Sequence, residues 1–346
     1  MSASAEPARA GATEPAPGRG DPATLLQRAR EGDRGALARL LSFVEGGGPL
    51  SRAVARLSYR AEPPYVIGLT GAPGAGKSTL ADRLVSVARA GWPAVVASGP
   101  VPAAGAEPVA QIAVLAIDPT SPFTGGAILG DRARMQRHAT DSTVFIRSMA
   151  TRGHLGGLAL AVPDAVRVLG AAGFRVVVVE TVGVGQVEVE VAAASDTTVV
   201  VVTPGWGDSL QAAKAGLLEV ADLFVINKAD RPGSTEAGRD LRQMLSLGAA
   251  QEWTPPIIET VGTTGEGVDA LWAAVTGHRA YLGSSGLLAS RRAERIDQEL
   301  RKVLFARLEG RLDELTGSPE YLGALNDLHE GRADPYEVAD RLLESS

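Results

Sequence analysis

Tyr65-Val-Ile-Gly-Leu-Thr70 runs without a break into Gly71-Ala72-Pro73-Gly74-Ala75-Gly76-Lys77-Ser78-Thr79. The first six residues are mostly apolar and few, as in a strand covered on both faces. The segment from Gly71 to Ser78 fits G-x-x-x-x-G-K-[ST], and Thr79 to Ala90 reads as a helix, so the motif sits at a strand-to-helix junction, the context it requires. Glycines let successive peptide N–H groups turn inward around phosphate oxygens, and the helix N-terminus adds a dipole favourable to anions. Lys77 is placed to reach β- and γ-phosphates and Ser78 to ligate Mg²⁺. The whole run from Gly71 to Thr79 is therefore assigned to binding a nucleoside phosphate.

On either side the same alternation repeats. Apolar, β-branched runs at Ile112–Asp118, Arg175–Glu180, Thr197–Thr203, Leu223–Asn227 and Pro256–Thr260 are separated by longer stretches, giving a doubly wound α/β fold with a mostly parallel sheet. Ligands of such folds lie beyond the carboxyl ends of the strands, so the residues that end each run carry the chemistry. Asn227-Lys228-Ala229-Asp230 fits N-K-x-D. The Asp230 carboxylate can accept from N1–H and the exocyclic amine of guanine. Adenine offers neither donor there, and a buried acceptor left unpaired costs roughly 1–3 kcal/mol. Val261-Gly262-Thr263, after the last strand, is a candidate to complete the base pocket with backbone N–H groups. Glu180 ends four valines beside the phosphate loop and is read as a partner of Mg²⁺, direct or through water, with Gly183 letting a peptide approach the γ-phosphate. Asp118 ends the second strand and is poised to hold hydrated Mg²⁺. Asp131 has two readings, a further metal acid or the cap of a helix begun by Arg132-Ala-Arg134.

The 346 residues divide into a Pro/Ala/Gly-rich tail (1–22), expected to be disordered, an N-terminal helical segment (23–61), a nucleotide-binding domain (62–280) and a helical arm (281–346). In the arm, Ile296, Leu300, Val303, Leu304, Leu308, Leu312 and Leu315 form one apolar stripe. It either folds back on the core or pairs with a second copy, and pairing is the expectation. Gly317-Ser318-Pro319 closes that helix, and Asp334-Pro335 with Glu337 opens another. No apolar stretch approaches the roughly 20 residues of a membrane span. The net charge, 34 − 40 = −6, gives no reason to expect nucleic acid. Cysteine is absent, which excludes disulfides and thiolate metal sites, and the four histidines are scattered. The tail lacks a signal-peptide core and carries Glu6, Glu14 and Asp21, so a cytoplasmic location is expected. Only Lys77, Lys214, Lys228 and Lys302 are lysines among 34 basic residues, and lysine in so arginine-rich a chain marks places where a compact ammonium is needed.

Together GAPGAGKST (71–79), IDPTSPFTGGAILGDRARM (117–135), IRSMATRGHLGGLA (146–159), ETVGVGQVE (180–188) and NKAD (227–230) resemble the MeaB/ArgK-type P-loop GTPases, chaperones of adenosylcobalamin-dependent methylmalonyl-CoA mutase. The likeness runs from about residue 24 to 300, through the HRAYL stretch (278–282). It implies slow Mg²⁺-dependent GTP hydrolysis to GDP and phosphate, a homodimer through the C-terminal helices, and nucleotide-gated cofactor delivery to a mutase that itself holds the cobalamin. It further implies that Asp118, Asp131 and Glu180 surround the metal with Ser78. By the same likeness Gly205–Lys214 is a mobile switch whose Lys214 swings toward the phosphates, making Lys77, Glu180 and Lys214 the catalytic candidates. Ser209 and Ala215 depart from the family's usual Glu and basic residue, and 98–111 reads as an insertion. Two other functions fit the sequence less well. A nickel-enzyme maturation GTPase needs soft or imidazole ligands that this chain lacks, and a P-loop small-molecule kinase sits poorly with a guanine motif.

Overall fold

The computed structural model describes residues 20–91, 111–119, 135–138, 140–151, 157–181, 191–205, 220–247 and 252–344. A seven-stranded sheet lies at its centre: β1 (Tyr65–Thr70), β2 (Ile112–Pro119), β3 (Val144–Thr151), β4 (Val176–Thr181), β5 (Thr197–Val202), β6 (Leu223–Asn227) and β7 (Ile257–Thr260). The order is β3-β2-β4-β1-β5-β6-β7, with every neighbouring pair parallel. From β1 the later strands are laid down on both sides, so a crevice opens at its carboxyl end.

The valine runs form strands because both faces are covered. Val176 and Val178 pack on one side with residues of α4 (Lys77–Gly91) and α7 (Val268–Ser284). Val177 and Val179 pack on the other with α1 (Pro22–Arg30), α2 (Arg34–Gly46), α3 (Gly48–Ser58) and α5 (Gly157–Ala171). Each fully buried valine is worth roughly 1.5–3 kcal/mol of transfer free energy. On that second side α6 (Ser234–Leu247) covers β5 and β6 through Leu241 against Val200, Phe224 and Ile226. The first two N-terminal helices start on aspartate caps, Asp21 accepting from Thr24 N at 3.0 Å and Asp33 from Ala36 N at 3.0 Å.

Sequence patterning missed one strand. β3 is an edge strand interrupted by Arg147 and Ser148, and it extends the sheet next to β2. Arg147 is tolerated because its guanidinium leaves the sheet for Ala38 O at 3.0 Å, Ser42 Oγ at 3.1 Å and the Glu45 carboxylate.

The arm is α8 (Leu287–Thr316), followed by α9 (Pro319–His329) and α10 (Pro335–Glu344). Its expected start at 281 lies inside α7, which continues because Leu282 is fully buried. Asp334 Oδ1 accepts from Tyr336 N and Glu337 N at 2.8 and 3.0 Å, the cap read from the sequence. α8 buries none of its own residues. Arginines hold its first turns to the amino ends of the strands. Arg291 meets Asp222 at 2.9 Å, and Arg292 and Arg295 both meet Asp196, the former at 2.7 Å. Asp196 is 1% exposed and also accepts from Val66 N at 3.0 Å. Burial opposes its ionisation, but the two guanidiniums prevail and hold the carboxyl below the usual range. HRAYL is the other half of this mount. His278 is fully buried, with Nδ1 2.8 Å from Thr197 Oγ1 and Nε2 3.3 Å from Asp222, and desolvation lowers its pKa.

Candidate nucleotide site

The phosphate loop adopts the backbone its glycines allow. Gly71, Gly74 and Gly76 have φ of +134°, +76° and +90°, a region that side chains rarely enter. At Gly71 a Cβ would also collide with the carbonyl oxygen of Val201 in β5. Lys77 and Ser78 open α4 and are each 7% exposed. The Lys77 ammonium reaches back over the loop to the carbonyls of Gly71 and, at 3.0 Å, Ala72. It thus lies across the mouth of the loop that the sequence assigned to phosphate.

Sheet register brings the acids to the same edge. Glu180 is paired with Leu69 of β1 and Ala116 of β2, and Ile117 with Thr181. The backbone of Asp118 therefore stands one residue past Thr181, two strands from the end of β1, or roughly 10 Å at the usual strand spacing. Glu180 is fully buried. Ser78 opens α4 and Glu180 stands near the end of β4; a hydroxyl and a carboxylate are hard oxygen donors of the kind Mg²⁺ takes. Among the described residues no three His, Asp or Glu cluster as a self-sufficient metal site. Asp131, Gly183, Ser209, Lys214, Ala215 and nearly all of the 98–111 insertion lie outside the described residues.

The guanine motif is fastened directly to the phosphate loop. Asn227 ends β6 and is 2% exposed. Its Nδ2 donates to Ala75 O at 2.7 Å, while Oδ1 accepts from Gly262 N at 3.0 Å and Thr260 Oγ1 at 3.2 Å. Asn227 is thus a bracket between the phosphate loop and the Val261-Gly262-Thr263 turn. Lys228, at φ +61°, is the one non-glycine residue with positive φ among those described, and its ammonium donates to Gly74 O at 2.7 Å. That strained backbone lays the lysine stem along the loop and leaves Asp230 exposed beyond it. Ala229 N donates to Thr260 O at 3.0 Å, tying the motif to β7. A cavity beside it is lined by Ala229, Asp230, Thr260, Val261 and two further acids, Glu259 and Glu266.

Sequence reasoning did not single out Arg83. It stands on α4 and donates from Nε to Gly262 O at 3.3 Å and from Nη2 to Thr263 O at 2.5 Å. The available signal was its place six residues after Lys77, within two helical turns of the phosphate loop.

The family described as methylmalonyl Co-A mutase-associated GTPase MeaB matches residues 37–316. A Pyrococcus abyssi protein named as a GTPase is 44% identical over 92% of this chain and 95% of its own length. GTPase ArgK of Escherichia coli is 36% identical over 81% of this chain and 82% of its own. The crystal structure of an LAO/AO transport system kinase is similar with a TM-score of 0.65 at 26% identity, covering 93% of this chain and 96% of that one.

Proposed function

Because the chain belongs to the methylmalonyl-CoA mutase-associated GTPases, we propose that its GTP hydrolysis serves an adenosylcobalamin-dependent acyl-CoA mutase, with methylmalonyl-CoA mutase the leading partner. In this reading the nucleotide state gates cofactor loading and keeps the mutase active, the cobalamin staying on the mutase. Residues from 62 to the end of α7 are the catalytic domain, 23–61 its helical cover and α8 to α10 a dimerisation arm, and the protein works in the cytoplasm.

The observation that carries the reading is the interlock of Asn227 and Lys228 with the phosphate loop, which makes base site and phosphate site one rigid unit. The amides of residues 71–79 and the Lys77 ammonium bind the phosphates, Lys77 exchanging loop carbonyls for phosphate oxygens. Asp230 accepts from the guanine edge. Ser78, Glu180, Asp118 and Asp131 are the residues to hold Mg²⁺, which when bound neutralises charge on the β- and γ-phosphates. Glu180, desolvated at its strand end, orients the groups around the γ-phosphate. Lys214 adds positive charge where negative charge builds up on the phosphates as the bond to GDP breaks.

The arm supports the dimer. Ile296, Leu300, Leu304, Leu308 and Leu312 recur every four residues, and each is 44–58% exposed. Such a stripe on a helix that buries nothing of its own is suited to a second copy.

Phosphate release from GTP, measured alone and with purified cobalamin-dependent methylmalonyl-CoA mutase, tests the whole reading. The expected result is slow turnover abolished in Lys77→Ala, with cofactor retention on the mutase dependent on the nucleotide supplied. Hydrolysis with no effect on any cobalamin mutase overturns the partner assignment and leaves the GTPase intact. Light scattering tests the arm: Leu304→Glu with Leu308→Glu yields monomer, and an unchanged dimer refutes pairing through this stripe.

A further inference from the structure

The turn after β7 has an unusual hydrogen-bond inventory. Gly262 N–H goes to Asn227 Oδ1, Thr264 N–H and Gly265 N–H go to Val261 O at 3.1 and 2.8 Å, and Glu266 N–H goes to Thr264 Oγ1 at 3.3 Å. Thr263 N–H alone in this run has no acceptor among the described residues. Thr263 is exposed, so its amide is open to a ligand.

The peptide between Gly262 and Thr263 fixes where that amide points. In a trans peptide the C=O and N–H vectors are opposed. Arg83 Nε draws Gly262 O toward α4, so the Thr263 N–H of the same peptide is turned away from α4. Arg83 Nη2 takes the next carbonyl, Thr263 O, as well. A planar guanidinium with two donors in a fixed fork locks both carbonyls at once, which a single ammonium cannot do.

We propose that Arg83 is a positioning residue for base selection: by clamping the carbonyls of Gly262 and Thr263 it presents Thr263 N–H to the keto oxygen O6 of guanine. This rests on the guanine reading of Asn227–Asp230 and deepens it. Asp230 reads the N1–H and amino donors of the base, and the Thr263 amide reads the acceptor beside them. Adenine carries an amine donor where guanine carries O6, so an outward N–H at this point opposes adenine as well as favouring guanine.

Equilibrium binding of GDP, IDP and ADP with Mg²⁺ to the full chain and to Arg83→Met separates the possibilities. Methionine keeps much of the stem and removes the fork. GDP and IDP share O6 and differ only in the 2-amino group, so both weaken by the same factor, roughly three- to tenfold for one hydrogen bond. ADP, which the outward N–H opposes, does not weaken, so the GDP-to-ADP preference falls by at least that factor and the GDP-to-IDP ratio stays constant. Arg83→Lys, which keeps one donor, recovers part of the loss. A GDP-to-ADP ratio in Arg83→Met equal to wild type overturns the proposal, whether nothing weakened or all three nucleotides weakened alike. The second pattern assigns Arg83 to the fold of the turn and not to base selection. A wild-type protein that binds GDP no better than ADP removes the guanine reading and the Arg83 role together.

Discussion

Replacing Asn227 by alanine separates two roles that the sequence alone merges. As a base ligand, Asn227 matters only when nucleotide is present. As the bracket seen here, it matters most when the site is empty. Its side chain makes three hydrogen bonds, to Ala75 O, Gly262 N and Thr260 Oγ1 at 2.7, 3.0 and 3.2 Å. Each is worth about 1 kcal/mol net, and a buried partner left unsatisfied costs about 1–3 kcal/mol. Thr260 can rotate its hydroxyl, but the Ala75 carbonyl and Gly262 amide belong to fixed backbone. The expected loss is therefore about 3–4 kcal/mol, or roughly 10 °C in the melting of a domain of this size. The assay is thermal melting of the nucleotide-free protein, paired with GDP titration. Asn227→Asp sharpens it: the shape is kept and both acceptor bonds survive, but a carboxylate oxygen now faces Ala75 O. It is expected to melt at or below Asn227→Ala. If Asn227→Ala loses GDP binding yet melts within about 2 °C of wild type without nucleotide, Asn227 is a direct ligand and the bracket is wrong.

Gly71→Ala puts a methyl group against Val201 O at φ +134°, and a cost of about 1–3 kcal/mol for the backbone alone predicts a lower melting temperature and loss of GTP binding by titration. Asp196→Asn leaves Arg292 and Arg295 facing a neutral amide at a site 1% exposed. It is expected to cost about 3–5 kcal/mol and to expose α8 to limited proteolysis. Because the folded pKa of Asp196 is depressed, its stabilisation is complete above the ordinary aspartate pKa and is lost as pH falls through the folded value. Wild type should therefore lose arm protection on acidification, and Asp196→Asn should lack that step. Asp164 has the opposite sign: burial, and then Glu299, raise its pKa to about 6 against the pull of Arg167. Stability falls as pH rises from about 4 to 6, so Asp164→Asn is expected to gain about 3 kcal/mol in urea melts at pH 7.5 and next to nothing at pH 4.

What could be read in the chain was whatever is encoded locally. The valine-rich strands and the glycine loop declare themselves within a few residues because burial on both faces and positive φ are each satisfied by local residue choice. β3 escaped because Arg147 breaks the apolar run on the face it shares with the buried Phe145 and Met149, where α2 supplies the partners its guanidinium needs. Asn227 and Lys228 were found as a motif, yet their contacts with Ala75 and Gly74 span 152 and 154 residues. No pattern within β6 distinguishes a side chain that touches a base from one that ties two loops. The mount of the arm was hidden for the same reason. Arg291, Arg292 and Arg295 read as the solvated face of a helix until the fold sets Asp222 and Asp196 opposite them.

That mount and the nucleotide loop sit at opposite ends of the same two strands. β1 begins with Tyr65 hydrogen-bonded to Thr197 at 2.5 Å, and Val66 N is held by Asp196. β1 ends in Gly71. β5 begins at Thr197 against His278 and passes Gly71 at Val201. Six residues of strand span about 20 Å, and a valine-filled, fully parallel sheet does not bend to relay a small change over that distance. A signal from nucleotide to arm therefore needs a segment with two arrangements, not a strand.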